Sequence, residues 1–219
     1  MSEQQVEAVD AVPTAEHHEG GFRPIADLGR DFTVGGPHYG EFVDQVRTLM
    51  DKVRLANPTD EIALDAIATL KELNDKLDAV VTDEWSAPTW HRTDLPSRGN
   101  ITLPPFLVDS ASKDGVHARI TFRTFHLGGN NAAHGGHIGL GFDDLLGMTA
   151  AVHTRAVTRT AYLHVDYRAI TPLNTELAVH GWVERVEGRK VFVRATMHDG
   201  DRLCAEAHGL FLLLKPGQQ

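Results

Sequence analysis

The 219 residues carry a formal net charge of −9, with 42% hydrophobic residues, 13 histidines and one cysteine. This length and apolar content allow a sizeable core in one domain with an extension. The acidic balance, concentrated in the first 83 residues, argues against nucleic acid as a partner. The lone Cys204 rules out an internal disulfide framework and fits a reducing compartment. The opening MSEQQVEAVDAVP has no basic, apolar leader and no run is long enough to span a bilayer, so the expectation is a soluble cytoplasmic protein without a membrane partner.

Residues 1–36 are polar, acidic and dotted with glycine, and are expected to form a flexible tail. Over 37–84, Phe42, Val46, Leu49, Met50 and Val53, and then Ile62, Ala66, Leu70, Leu73, Leu77 and Val80, recur at three- and four-residue spacing. This predicts a hairpin of two amphipathic helices, broken at Asn57-Pro58, with Thr59 or Asp60 available as the second N-cap. Four prolines and two tryptophans between Trp85 and Val108 predict an irregular connection over 85–114. From 115 to 217 the rhythm changes again. Val116, Ala118, Ile120 and Phe122 alternate with polar neighbours as a half-buried strand should. A mostly apolar helix follows over about 136–153, then strands near 160–169, 175–186, 189–198 and 203–214, with turns at Glu187-Gly188 and Asp199-Gly200-Asp201. One strand, one long helix and four antiparallel strands is the order of an α+β sheet wrapped around a central helix.

The most informative stretch is Asn130-Asn131-Ala-Ala-His134-Gly135-Gly136-His137, followed by Asp143 and Asp144. Glycines at a helix start let a ligand approach the backbone, where unpaired N–H groups of the first turn face incoming negative charge. Gly136 to Asp143 is seven residues, which places both on nearly one helix face but roughly 10 Å apart along the axis. A nucleophile or base and an oxyanion donor must each lie about 3 Å from the reacting centre. One helix therefore cannot present both to a single carbonyl, and the geometry implies a homodimer in which Gly136 of one copy faces Asp143 of the other. Asp143 lies among Ile138, Leu140, Phe142, Leu145, Leu146 and Met148, a setting in which a charge needs a function.

The pattern His-Gly-Gly-(x)6-Asp resembles the hotdog-fold acyl-CoA thioesterases of the PaaI-like type. The stretches from Arg159-Thr160 to Tyr167-Arg168 and from Leu203 to Phe211 resemble that family's later strands, so the resemblance covers about 115–217. It implies a hotdog fold, hydrolysis of acyl-CoA to free acid and CoA, and no cofactor. On this basis the Gly136 amide is the oxyanion donor and Asp143 the general base or the nucleophile. Thr160 orients the water or the aspartate, and His134 ties the loop. Asn130, Asn131, Gly135, His137, Asp144 and Arg168 are assigned to substrate binding. Spacing from the histidine favours Asp143 as the reactive acid, although spacing to Thr160 also suits Asp144. The acyl chain is expected between two central helices, lined by Leu140, Leu146 and Met148, with the nucleotide running towards Arg and Lys side chains. One departure stands out: where many relatives carry Asn six residues before the histidine, this chain has Gly128. His126, His134, His137 and Asp143 also suggest a metal set, but 13 histidines make chance clusters common, and no metal is assigned.

Overall fold

The structure is a computed structural model that describes residues 31–215. The tail expected over 1–36 lies outside these apart from 31–36, which lead by turns into helix α1 (Tyr39–Leu55). Helix α2 (Asp60–Asp78) begins where Thr59 caps it, its side chain accepting from the Ile62 N–H. The helices form, but the expected hairpin does not close. α1 buries Val43 and Arg47 against the body of the protein, whereas α2 buries none of its residues.

Six strands make one antiparallel sheet: β1 (Phe106–Ser112), β2 (Gly115–Thr121), β5 (Thr158–Tyr167), β6 (Glu176–Glu187), β7 (Lys190–Asp199) and β8 (Arg202–Leu213), in the order β1-β2-β6-β7-β8-β5. Two short strands, β3 (Leu127–Gly129) and β4 (Ala132–Ala133), pair separately around an Asn130-Asn131 turn in which both asparagines have positive φ. β1 corrects the expectation of irregular chain over 85–114. Only Phe106 of β1 is buried, so the period-two burial pattern that marks β2, β6, β7 and β8 is missing from its sequence.

The long helix α3 (Gly135–Thr154) lies on one face of the sheet. Alternation supplies the other half of the core: Val116, Ala118 and Ile120 of β2, Leu177 and Val179 of β6, Val191, Val193, Ala195 and Met197 of β7, and Ala207 and Phe211 of β8 meet Ile138, Phe142, Leu145 and Leu146. Each fully buried Leu or Phe of this kind contributes about 1.5–3 kcal/mol. Helix and sheet approach closely at Gly181, where an added Cβ would lie 2.7 Å from the Thr149 hydroxyl oxygen, itself held by donation to the Leu145 carbonyl. Leu146 and Met148, expected to line an acyl channel, are buried in this core, whereas Leu140 lies on the exposed side of α3.

Two features of the sheet's surroundings position the site. β5 is an edge strand, and its register with β8 shifts between Thr160 and Tyr162. Tyr162 is paired with Leu210 and Thr160 with Phe211, so Ala161 is an extra, bulged residue. A one-residue insertion reverses which face the following side chains occupy. Tyr162 and His164 ring-contact His208 on the outer face, yet Thr160 shares the inner, helix-facing side with the buried Phe211. The second feature is the turn Pro96–Gly99, in which Ser97 and Arg98 both take left-handed backbone conformations, φ 49° and 58°. Such residues cost on the order of 1–3 kcal/mol each and persist only where surrounding contacts enforce them. Here the Ser97 hydroxyl donates to the Pro104 carbonyl and accepts from the Phe106 N–H, while the buried Arg47 guanidinium donates to the carbonyls of Pro96 and Asn100.

Candidate active site

Asp143 sits two turns into α3, partly exposed, and its Oδ1 accepts a hydrogen bond from the Thr160 hydroxyl at 2.9 Å. The bulge at Ala161 makes this contact possible by turning Thr160 towards the helix. Asp144, one residue on, faces a different neighbour: Arg98 donates through Nη1 to Oδ2 at 3.0 Å and through Nη2 to Oδ1 at 2.9 Å. The two adjacent carboxylates are thus separated by environment, one meeting a hydroxyl on the exposed side of the helix and the other a bidentate guanidinium.

The glycine turn has its own scaffold. His134 is the N-cap of α3, and its Nδ1 accepts the Gly136 N–H at 3.0 Å. The amide expected to serve as oxyanion donor is therefore occupied by the capping imidazole. Gly135 presents its carbonyl to the Tyr167 hydroxyl, which donates to it at 2.9 Å from the end of β5. An added Cβ at Gly135 would meet that hydroxyl oxygen at 3.0 Å, so a larger residue would crowd the contact. Tyr167 was not among the residues assigned to the site. Its signal in sequence was only its place in a strand resembling a family strand. An open groove of about 260 Å³ runs along this turn, lined among others by Ala133, Gly135, Ile138, Tyr167 and Ile170.

Behind the turn, the His134 N–H donates to the His126 carbonyl. His126 is fully buried. Its Nδ1 accepts the Arg123 N–H at 2.8 Å, which places the ring proton on Nε2, and Nε2 has no hydrogen-bond partner. Burial, and then the neighbouring His137, push its pKa down to about 4. The ring stands edge-to-face with His137, centroids 4.8 Å apart, and His137 in turn lies 5.9 Å from the His134 ring. Burial, then the charge of His134, also lowers the pKa of His137. α1 braces this segment. Arg123 donates to Asp51, Asp44 and Thr48, the Asp51 carboxylate accepts from the Phe125 N–H, and Arg54 donates to the Leu127 carbonyl.

The structure thus brings Asp143 together with Thr160, and His134 together with Gly136, Gly135 and His137. Asn130 and Asn131 form the exposed turn just before them. Arg168 stands apart: its Nε donates to Glu206 at 2.7 Å and Nη2 lies 3.3 Å from Asp166, so it is already ion-paired on both sides. Arg185 is likewise paired with Glu184 and Glu187. Among the described residues no group of three or more His, Cys, Asp or Glu is placed to hold a metal ion, and no helix is long and apolar enough to cross a membrane.

Comparison with known proteins fits this geometry. A model of the thioesterase superfamily matches residues 130–206, the stretch from the asparagine turn to the middle of β8. Over 85 residues the chain is 35% identical to acyl-coenzyme A thioesterase THEM4 of Rattus norvegicus and 39% identical to that of Xenopus laevis, alignments covering 38% of this chain. The chain spans little more than a third of these relatives' length, 36% and 38% respectively. A crystal structure of a thioesterase superfamily protein superposes with a TM-score of 0.68 at 23% identity, covering 80% of this chain and 94% of that one. The likeness in fold therefore extends beyond the sheet and α3 into the N-terminal segment. With its six-stranded antiparallel sheet packed on a central helix, the chain has the hotdog fold of that structure, and its motif-bearing segment 130–206 is similar to the thioesterase superfamily.

Proposed function

We propose that this protein hydrolyses acyl-CoA thioesters to the free carboxylic acid and CoA at a PaaI-like site assembled between two copies of the chain, in a cytoplasmic setting and without a cofactor. The observation that carries this reading is the Asp143–Thr160 pair on the exposed side of α3. It presents a carboxylate whose orientation is fixed by a hydroxyl, seven residues beyond the glycine turn. The relatives named acyl-coenzyme A thioesterase supply the substrate class.

In this reading Thr160 engages Oδ1, and Oδ2 takes a proton from water as the water oxygen bonds to the thioester carbonyl carbon. The C–S bond then breaks, and the proton passes to the departing CoA thiolate. Alternatively the carboxylate itself attacks, giving a mixed anhydride that water opens. The developing oxyanion is met by the Gly136 N–H of the other copy, supported by the positive end of the α3 dipole. His134 must release that N–H, so its exposed ring turns aside as the carbonyl arrives. Asn130, Asn131, Gly135 and His137 border the entering thioester. The stripe of exposed Gly136 and Leu140 and partly exposed Asp143 beside the edge strand β5 is the face against which the second copy packs.

The test is thiol release from acyl-CoAs of graded chain length. Asp143→Asn is expected to lower kcat at least about 10²-fold, while Asp144→Asn leaves the reaction measurable. Gly136→Pro removes the N–H and is also expected to be inactive. Co-expressed Asp143→Asn and Gly136→Pro chains should regain activity that neither has alone, because one mixed site keeps both groups. Full activity in Asp143→Asn, or no recovery in the mixture, would overturn the proposal. A second reading, binding of acyl-CoA without turnover, is favoured by the occupied Gly136 N–H and by Gly128. Saturable binding with no thiol release from wild-type protein would establish it instead.

A further inference from the structure

The turn Pro96–Gly99 lies outside the segment that matches the superfamily model, and nothing in the proposed chemistry uses it. Its construction nevertheless points at the site. Two consecutive non-glycine residues are held left-handed, Ser97 and Arg98 are both buried, and the turn is tied down by the Ser97 hydroxyl and by Arg47 from α1. The outcome of this arrangement is one side chain, Arg98, delivered in bidentate geometry to Asp144 with 10% and 23% of the two side chains exposed.

Asp144 immediately follows the carboxylate assigned to the chemistry. We propose that Arg98 is a positioning residue that cancels the charge of Asp144 and so leaves Asp143 as the single reactive carboxylate of α3. The inference rests on the reading of Asp143 as the base or nucleophile. Without Arg98 a second unpaired carboxylate on the next residue of the helix would compete with Asp143 for the Thr160 hydroxyl. A planar guanidinium with two parallel N–H···O bonds satisfies both oxygens of Asp144 and keeps it from turning towards the site. Arg98 touches no reacting atom in this scheme, so its removal acts on kcat and not on KM.

The experiment is a double-mutant cycle on kcat and KM for thiol release from a long-chain acyl-CoA, with melting temperatures measured alongside. Arg98→Met is expected to lower kcat about tenfold with KM within about twofold, through the misaligned neighbouring acid. Asp144→Asn, which leaves Arg98 free to pair with Asp143, should lower kcat similarly. Arg98→Met/Asp144→Asn removes both charges and should recover kcat to within about threefold of wild type, a non-additivity that general loosening of the fold does not produce. A double variant at least as impaired as the worse single one would overturn the inference, as would wild-type kcat in Asp144→Asn, which stays informative if Arg98→Met fails to fold. Asp143→Asn separates the layers: if it is inactive while both single variants keep wild-type kcat, only the role of Arg98 falls. If it is active, or wild-type protein turns over no acyl-CoA, the reading of the site falls and this inference with it.

Discussion

His126→Asn should change how stability depends on pH, by an amount that follows from the burial of one ring. In the folded chain His126 has a pKa of about 4 against an ordinary 6.5, chiefly because the buried ring cannot be solvated when charged. In the unfolded chain it titrates near its ordinary value. Below pH 6.5 the unfolded state therefore gains a proton that the folded state refuses, and stability falls as pH drops from about 6.5 to about 4. At about 1.36 kcal/mol per unit, a separation of this size costs about 3 kcal/mol across that window, with no further loss below it. Asparagine keeps an acceptor near the Nδ1 position for the Arg123 N–H and carries no charge at any pH in the range. The variant will be less stable at neutral pH because it leaves a gap among Phe122, Phe125 and His137. That penalty is a constant offset, however, and the pH-dependent part is the signal. The assay is urea unfolding of wild type and variant at half-unit steps from pH 7.5 to 3.5, plotting the difference in unfolding free energy. Contributions from His137 and His180, whose pKa values are also lowered, remain in both proteins and largely cancel. The difference should shrink by about 3 kcal/mol as pH falls from 6.5 to 4. Parallel curves would mean that His126 is charged in the fold or hydrated, and the reasoning from burial would fail.

Thr160→Val keeps a branched side chain on the helix-facing side of β5 but removes the hydroxyl that donates to Asp143 Oδ1. Thiol release should fall on the order of 10²-fold, with far-ultraviolet circular dichroism preserved, and unchanged turnover would show that Thr160 does not act through Asp143. Gly181→Ala places a methyl 2.7 Å from the Thr149 hydroxyl and 3.8 Å from the Arg194 carbonyl. Overpacking at this helix–sheet contact should lower unfolding free energy by about 1–3 kcal/mol; a variant as stable as wild type in urea would show that α3 can shift freely over β6.

Much of the fold was legible because burial on one side of a sheet writes itself into the chain with period two. Val116, Ala118 and Ile120, and Val191, Val193 and Ala195, mark β2 and β7 this way, and Gly188 and Gly200, both with φ 57°, close the turns predicted beside them. β1 escaped because all but one of its residues are exposed, so pairing and not burial makes it a strand. The helices α1 and α2 were visible from their spacing, but spacing describes only a helix's own surface. It could not show that α1 would grip Arg123 while α2 would leave Ile62, Leu64 and Ile67 open. Candidate site residues were legible where the chemistry is local, as at His134, Gly135, Gly136 and Asp143, which share one helix start. Tyr167 and Arg98 were not, because their contacts span 32 and 46 residues of chain.

The sequence by itself determined the order of β2, α3 and the four strands β5 to β8, the glycine turn at the start of α3 and the presence of two adjacent acids on that helix. Those features depend on periodicity, capping and helical rise, which act between residues close in the chain. Tertiary structure alone decided which acid meets which neighbour. A single bulged residue in an edge strand turns Thr160 towards Asp143, and a strained turn brings Arg98 to Asp144. Both outcomes depend on register and packing between distant segments, where a shift of one residue reverses the facing side chain and leaves no trace in local pattern.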